Sequence, residues 1–189
     1  ESGYDIAAIV AHDTRAVSRS ARPVEVVEFA KHHNIQLLTP DKPGDIVDEL
    51  TALQADFAVL ASYGRIIPER VLNVFEPIGI INIHPSLLPR YRGSTPIESA
   101  IIHGDTQTGV SIMKLSSGMD EGDLYAQVTI NVEPTDDKFS LYERLAKSGA
   151  QLLIETLDSI ASKQLQPTPQ KNNDVSYTSQ FTKSDGDCD

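Results

Sequence analysis

Residues 81–93 read Ile-Asn-Ile-His-Pro-Ser-Leu-Leu-Pro-Arg-Tyr-Arg-Gly, and this stretch decides the fold and the site together. An apolar run, Ile78 to Ile81 broken only by Gly79, leads into Asn82 and His84. Two residues apart on a strand, their side chains share one face, so two hydrogen-bonding groups point at one spot. Pro85 then removes a ladder donor and Pro89 restricts the backbone again, which ends the strand. Arg90 and Arg92 follow as two cations beyond the strand end, the place where open parallel sheets bind their ligands. Further on, Ser117-Gly-Met-Asp-Glu-Gly-Asp123 forms a second loop with an acid, Asp120, between two glycines. Asn, His and Asp are the parts of a proton-handling site.

Outward from this segment the pattern alternates. Asp5 to Val10, Ile35 to Leu38, Phe57 to Leu60 and Gly79 to Ile83 read as short apolar strands. Between them, Val24 to Lys31, Gly44 to Leu53 and Pro68 to Val74 read as helices, with Asn34 closing the first. Such alternation implies right-handed crossovers and a doubly wound, mostly parallel sheet covered on both faces. Thr95 to His103 is predicted as a helix with Pro96 in its first turn. Val110 to Leu115 and Tyr125 to Ile130 are later strands on either side of the Asp120 loop. Ser140 to Ser162 is a long amphipathic helix with Leu141, Leu145, Leu152, Leu153, Leu157 and Ile160 on its inner face, and with Ser140 and Glu143 as its capping box. Beyond Lys163 the apolar period disappears into Gln, Pro, Asn, Thr, Ser and Asp, which reads as a linker or extension over 164–189.

The 189 residues are 40% hydrophobic, enough for one sizeable core. No run of 18 or more apolar residues and no charged-then-apolar leader occurs, which predicts a soluble, cytoplasmic protein with no membrane partner. The single cysteine, Cys188, excludes an intrachain disulfide and a Cys-His metal cluster. A net charge of −11 argues against broad nucleic-acid affinity, and so against DNA and against a tRNA substrate, because phosphate binding rests on many Lys and Arg contacts. A local field can oppose the net charge, and Arg15, Arg19 and Arg22 stand together in an acid-poor segment.

The chain resembles the formyltransferases that use 10-formyltetrahydrofolate. The resemblance is carried by Asn82-x-His84, by Ser86-Leu-Leu-Pro89 and by Gly118-x-Asp-x-Gly122. Ser62-Tyr-Gly-Arg-Ile-Ile-Pro68 before them, and Tyr91 to Ile97 and Gly104 to Met113 after them, fall in the family's order. It spans about Asp5 to Ile160. Pro-Arg-Tyr-Arg-Gly and Thr-Gly-Val-Ser-Ile-Met are most similar to the branch that formylates methionyl-tRNA. The resemblance implies a Rossmann-like formyltransferase fold that starts here at its second strand, a catalytic domain over 1–163, and an extension over 164–189 toward a small β-barrel domain absent from this chain.

It also implies a catalytic trio of Asn82, His84 and Asp120. An amine attacks the formyl carbon, so charge develops on oxygen and the attacking nitrogen must lose a proton. Asn82 suits holding the formyl oxygen, while His84 can donate to the oxyanion or accept the amine proton. Asp120, if adjacent, would orient the ring. The resemblance places the pterin among backbone groups of Tyr63, Gly64, Arg65, Ile66 and Ile67 and of Ser116, Ser117, Gly118 and Met119, with Ser86, Leu87, Leu88 and Pro89 flanking its reactive end. No metal is implied. A basic loop at Arg15, Arg19 and Arg22, together with Arg90 and Arg92, is the expected contact for the tRNA acceptor.

Plainer readings stand beside these. A lone His after an apolar strand is usually structural, and an Asp between glycines is often only a turn residue. The Arg15 to Arg22 group reads as a solvated loop, and Arg90 and Arg92 can simply pair with Glu98 or Asp105. A sugar-nucleotide N-formyltransferase shares the trio and tolerates an acidic surface. The phosphoribosylglycinamide formyltransferases and the formyltetrahydrofolate hydrolases fit less well, because the Pro-Arg-Tyr-Arg-Gly continuation is less like theirs, and an inactive folate-binding remnant completes the alternatives.

Overall fold

The computed structural model describes residues 3–11, 25–171 and 173–181. Within it the chain forms two compact units, one of residues 1–56 and 65–76, the other of residues 57–64 and 77–189. The basic cluster Arg15, Arg19 and Arg22, and Cys188, lie outside the described residues.

In the first unit, β1 (Ala8–Val10) runs parallel to β2 (Gln36–Leu38), with Ala8 opposite Gln36 and Val10 opposite Leu38. The strand expected over Asp5 to Val10 begins only at Ala8. Helix α1 (Glu25–His32) places Glu25 and Glu28 in its first turn and Lys31 and His32 in its last, as the helix dipole favours, and buries Val27 and Ala30. Asn34 closes it at φ 53°, and the next amide, that of Ile35, returns to the Ala30 carbonyl at 2.9 Å. The helix expected over Gly44 to Leu53 divides into a 3-10 turn (Pro43–Ile46) and α2 (Val47–Ala52). Gly44 admits the Arg70 side chain, from the short α3 (Glu69–Leu72), against its own backbone: Arg70 Nε donates to the Gly44 carbonyl at 3.2 Å.

The second unit is built on a four-stranded sheet. β3 (Ala58–Ala61) pairs in parallel with β4 (Ile80–His84), and β4 pairs antiparallel with β6 (Gln107–Lys114), which pairs antiparallel with β7 (Leu124–Asn131). The α/β class stands, and the antiparallel pairing of β6 with β7 has a simple cause: only a short loop joins them, too short for the crossover a parallel pair needs. β5 (Arg92–Gly93) and β8 (Tyr177–Thr178) form a separate parallel pair. Helices α4 (Pro96–Ile102) and α5 (Lys138–Ala161) complete the unit.

The core of this unit gathers Ile97, Val110, Leu141 and Leu145, with Ile83, Ile101, Val128, Ile130 and Val132 against it. Gly149 lets α5 approach the sheet, since a Cβ there would sit 2.9 Å from Ile83 and 3.1 Å from Val110. The apolar period of α5 is as predicted, but its start is not. Asp137, not Ser140, is the N-cap: its carboxylate accepts the Phe139 and Ser140 amides at 2.9 and 2.8 Å, and Ser140 Oγ accepts the Asp137 amide at 3.0 Å. Either pair satisfies two orphan amides, and the acid one turn earlier adds a charge the helix N-terminus favours.

Candidate active site

Strand β4 is buried on both faces and delivers Asn82 and His84 to the same side, at 5% and 4% exposure. Asn82 lies opposite Met113 and His84 opposite Ser111 on β6. Among the described residues nothing hydrogen-bonds the Asn82 side-chain amide.

The His84 ring is held at one nitrogen and faces a carboxylate with the other. Nε2 lies 2.9 Å from the Tyr91 carbonyl, an atom that only accepts, so Nε2 carries a hydrogen. Nδ1 then faces the Asp120 carboxylate at 3.6 Å. The same Asp120 Oδ2 accepts the Gly93 amide at 2.8 Å, which aims the carboxylate toward the ring. Residues 91–93 therefore hold the imidazole by a carbonyl and the acid by an amide. Asp120 itself sits at φ 51° and Tyr91 at φ 58°, left-handed conformations that non-glycine residues adopt only when the surroundings hold them there.

The Ser86 to Pro89 turn is locked from below. Ser86 is fully buried, its amide returns to the His84 carbonyl at 2.9 Å and its hydroxyl donates to the Arg90 carbonyl at 2.6 Å. Ser111 Oγ donates to the Ser86 carbonyl at 2.6 Å and accepts the Leu88 amide at 3.1 Å, while Gln127 Nε2 donates to the Leu88 carbonyl at 2.9 Å and to Ser111 Oγ at 2.8 Å. The Leu88–Pro89 peptide is cis. Ser111 and Gln127 were not singled out from the sequence, although a serine in the apolar run Val110-Ser-Ile-Met was the visible signal.

The two cations beyond the strand end are both engaged. Arg90 Nη2 reaches both Asp105 oxygens at 3.0 and 2.9 Å, and Tyr91 Oη donates to Asp105 at 2.7 Å. That ion pair raises the pKa of Arg90, and burial, reinforced by Asp105, raises that of Tyr91. Arg92 is 7% exposed. Its Nε and Nη2 donate to Gln170 Oε1 at 3.1 and 2.8 Å, and its Nη1 donates to Tyr177 Oη at 2.9 Å, with Glu121 at 3.4 Å. Pairing of Arg90 with Asp105 was one of the plain expectations, whereas the hydrogen-bond partners of Arg92, Gln170 and Tyr177, come from the segment read as a linker.

The residues expected around the pterin divide between the units. Tyr63 and Gly64, the latter at φ 71°, follow β3 in the second unit, while Arg65, Ile66 and Ile67 belong to the first, Ile66 being 87% exposed. Ser116, Ser117, Gly118 and Met119 lead directly into Asp120, with Met119 exposed. Gly122 is indispensable to this loop, since a Cβ there would lie 1.8 Å from the Lys114 carbonyl. Among the described residues no group of three His, Cys, Asp or Glu is placed to hold a metal ion, and no helix is long and apolar enough to cross a membrane.

Residues 2–157 match the formyl transferase family model. A methionyl-tRNA formyltransferase of Chloroflexus aurantiacus is 38% identical over 194 aligned residues, covering 100% of this chain and 62% of that protein. The chain thus spans about three fifths of the length of the relatives it matches. Among solved structures, phosphoribosylglycinamide formyltransferase from Bacillus halodurans superposes with a TM-score of 0.73 at 31% identity, covering 85% of this chain and 82% of that one. An N-formyltransferase from Helicobacter canadensis, crystallised with folinic acid and dTDP-3-aminofucose, shares the fold at a TM-score of 0.70 and 21% identity, covering 93% of this chain and 60% of its own.

Proposed function

This chain belongs to the formyl transferase family, and from that premise we propose that it carries the catalytic site of an enzyme moving the formyl group of 10-formyltetrahydrofolate to the amino group of methionyl-tRNA. The observation that carries the reading is the pair of buried side chains Asn82 and His84 beside the half-buried Asp120, with the ring held at Nε2 by Tyr91 and its Nδ1 facing the carboxylate. The acceptor is inferred from the likeness to methionyl-tRNA formyltransferases over the whole chain.

In the proposed reaction the methionyl amine attacks the formyl carbon, the bond to the folate nitrogen breaks, and the proton lost by the amine replaces the formyl group on that nitrogen. Asn82 donates to the formyl oxygen as charge develops there. His84 works through Nδ1, the nitrogen not committed to Tyr91, with Asp120 stabilising the ring when it is protonated. Within the second unit, Tyr63, Gly64 and Ser116 to Met119 bind the pterin through backbone groups, and Ser86 to Pro89 flank its reactive end. Arg15, Arg19 and Arg22 remain the proposed tRNA contact, with Arg90 reaching phosphate only by sharing with Asp105. Arg92 instead braces the site from inside. A cytoplasmic setting, where aminoacylated tRNA is found, goes with this reading.

A sugar-nucleotide amine is the second reading, favoured by the net charge of −11 and by the internal engagement of Arg92. One assay separates them. Transfer of labelled formyl from 10-formyltetrahydrofolate is measured with the natural full-length protein, offering methionyl-tRNA and an amino-sugar nucleotide in turn. Label on the methionine supports the first reading, label only on the sugar replaces it with the second, and release of labelled formate alone makes the protein a hydrolase.

A further inference from the structure

The segment after α5 does not trail away from the site. The Leu124 and Thr168 backbones exchange hydrogen bonds at 2.8 and 2.9 Å, Ser176 Oγ accepts the Tyr91 amide at 2.8 Å, and β8 lies along β5. Gly93 makes that pairing possible, because at φ 108° a Cβ would sit 2.4 Å from the Thr178 carbonyl. Between these anchors lies Gln170, half-buried, with an amide that uses all four of its hydrogen-bonding positions. Nε2 donates to the Asp120 carbonyl at 2.7 Å and to the Gly122 carbonyl at 2.8 Å, while Oε1 accepts Arg92 Nε and Nη2. The partners fix which end is which: two carbonyls can only accept, and a guanidinium can only donate.

We propose that Gln170 is the positioning residue of the catalytic acid, a clamp that joins the backbone beneath Asp120 to the strand that aims its carboxylate. The proposal rests on the reading of Asp120 as part of the transfer site. Its physical ground is that Asp120 occupies a left-handed conformation an L residue rarely adopts, so its orientation must be imposed from outside. Gln170 imposes it on two sides at once. It grips the peptide carbonyls at Asp120 and Gly122, and it fixes Arg92, which sits between Tyr91, the residue holding His84, and Gly93, the residue holding the Asp120 carboxylate. A shift of about 1 Å in a catalytic group can cost on the order of 100-fold in rate, so a side chain that touches no substrate can still set turnover.

Gln170→Glu is the discriminating variant. A carboxylate still accepts both Arg92 donors but turns an oxygen toward two carbonyls that need donors. Gln170→Met, of similar length, removes both sets of bonds and guards against a folding defect peculiar to the charge. Expected is a fall in kcat of about 10- to 100-fold with the KM for both substrates within a few-fold, and no further fall when either change is added to Asp120→Asn. Losses that multiply in the double variant, a defect carried by KM, or a kcat within two-fold of the parent would each overturn the proposal. If the parent transfers formyl to neither acceptor, the functional reading fails separately, and the clamp is then read by hydrogen exchange of the Gly93 amide. Exchange at least 10-fold faster in Gln170→Glu supports it, and unchanged exchange overturns it.

Discussion

Nε2 of His84 lies 2.9 Å from the backbone carbonyl of Tyr91, so the neutral ring carries its hydrogen on the nitrogen that points away from Asp120. In the proposed reaction this leaves proton exchange to Nδ1, 3.6 Å from the Asp120 carboxylate. The expected tautomer of the neutral ring is Nε2–H, read from two-bond nitrogen couplings in an imidazole-labelled sample. A neutral ring protonated at Nδ1 would remove the basis for this assignment. The carbonyl belongs to the backbone, so no side-chain substitution at Tyr91 deletes it, and spectroscopy is the direct test.

The division of labour between chemistry and folate binding gives a second expectation. His84→Ala and Asp120→Ala should abolish transfer, while folate affinity stays within a few-fold, because the proposed pterin contacts are mainly backbone. Asn82→Ala should lower kcat by roughly 10²- to 10³-fold, the usual cost of one oxyanion donor. Equilibrium binding of a folate analogue, measured beside turnover, checks both, and a ten-fold loss of affinity in either of the first two variants would sink the division.

Much of this site was legible because its elements announce themselves locally. The apolar run into Asn82 and His84 has the length and the abrupt proline ending of a buried strand, and Leu141, Leu145, Leu157 and Ile160 recur at helical spacing along α5. The engagement of Arg90 by Asp105 was open to a charge argument. What stayed hidden depends on pairing between distant residues. β5 and β8 are each two residues long, too short to show any periodicity, and they meet only because Gly93 admits the Thr178 carbonyl. Gln170 stands in a stretch of Pro, Thr, Gln and Asn that composition assigns to a linker, yet it docks through hydrogen bonds, which leave no apolar pattern to read. The cap of α5 went to Asp137 because two adjacent acids offer a competing start that propensity alone does not rank.

Three glycines predict a graded cost of adding one methyl group. Gly122→Ala places Cβ 1.8 Å from the Lys114 carbonyl, and Gly93→Ala combines φ 108° with a 2.4 Å approach to Thr178. Gly64→Ala, at φ 71°, meets nothing within 4 Å. The first two should displace backbone and lose about 3 kcal/mol or more, together with turnover. The third should lose only the conformational cost of the left-handed region, roughly 1–2 kcal/mol. Urea unfolding of the three variants supplies the comparison, and equal losses at Gly64 and Gly122 would contradict the geometry of the Asp120 loop.

Asp136 predicts how stability responds to acid. Its side chain is 6% exposed and accepts the Glu133 amide at 2.8 Å and Ser140 Oγ at 2.9 Å, with Arg144 beside it. The backbone bond from Glu133 contributes most to holding its pKa below the ordinary carboxylate value, the serine and arginine add to it, and desolvation opposes them in part. In the unfolded chain the same carboxyl titrates at about 3.9. Because the folded value lies lower, the stabilisation is complete above the unfolded pKa and disappears as pH falls through the folded one. Asp136→Asn should therefore unfold at lower urea than the parent at pH 7, and the gap between the two midpoints should narrow as both are taken down through pH 4 toward pH 3. A gap that stays constant over that range would mean that the charge on Asp136 contributes nothing, leaving shape and neutral hydrogen bonds to anchor the first turn of α5.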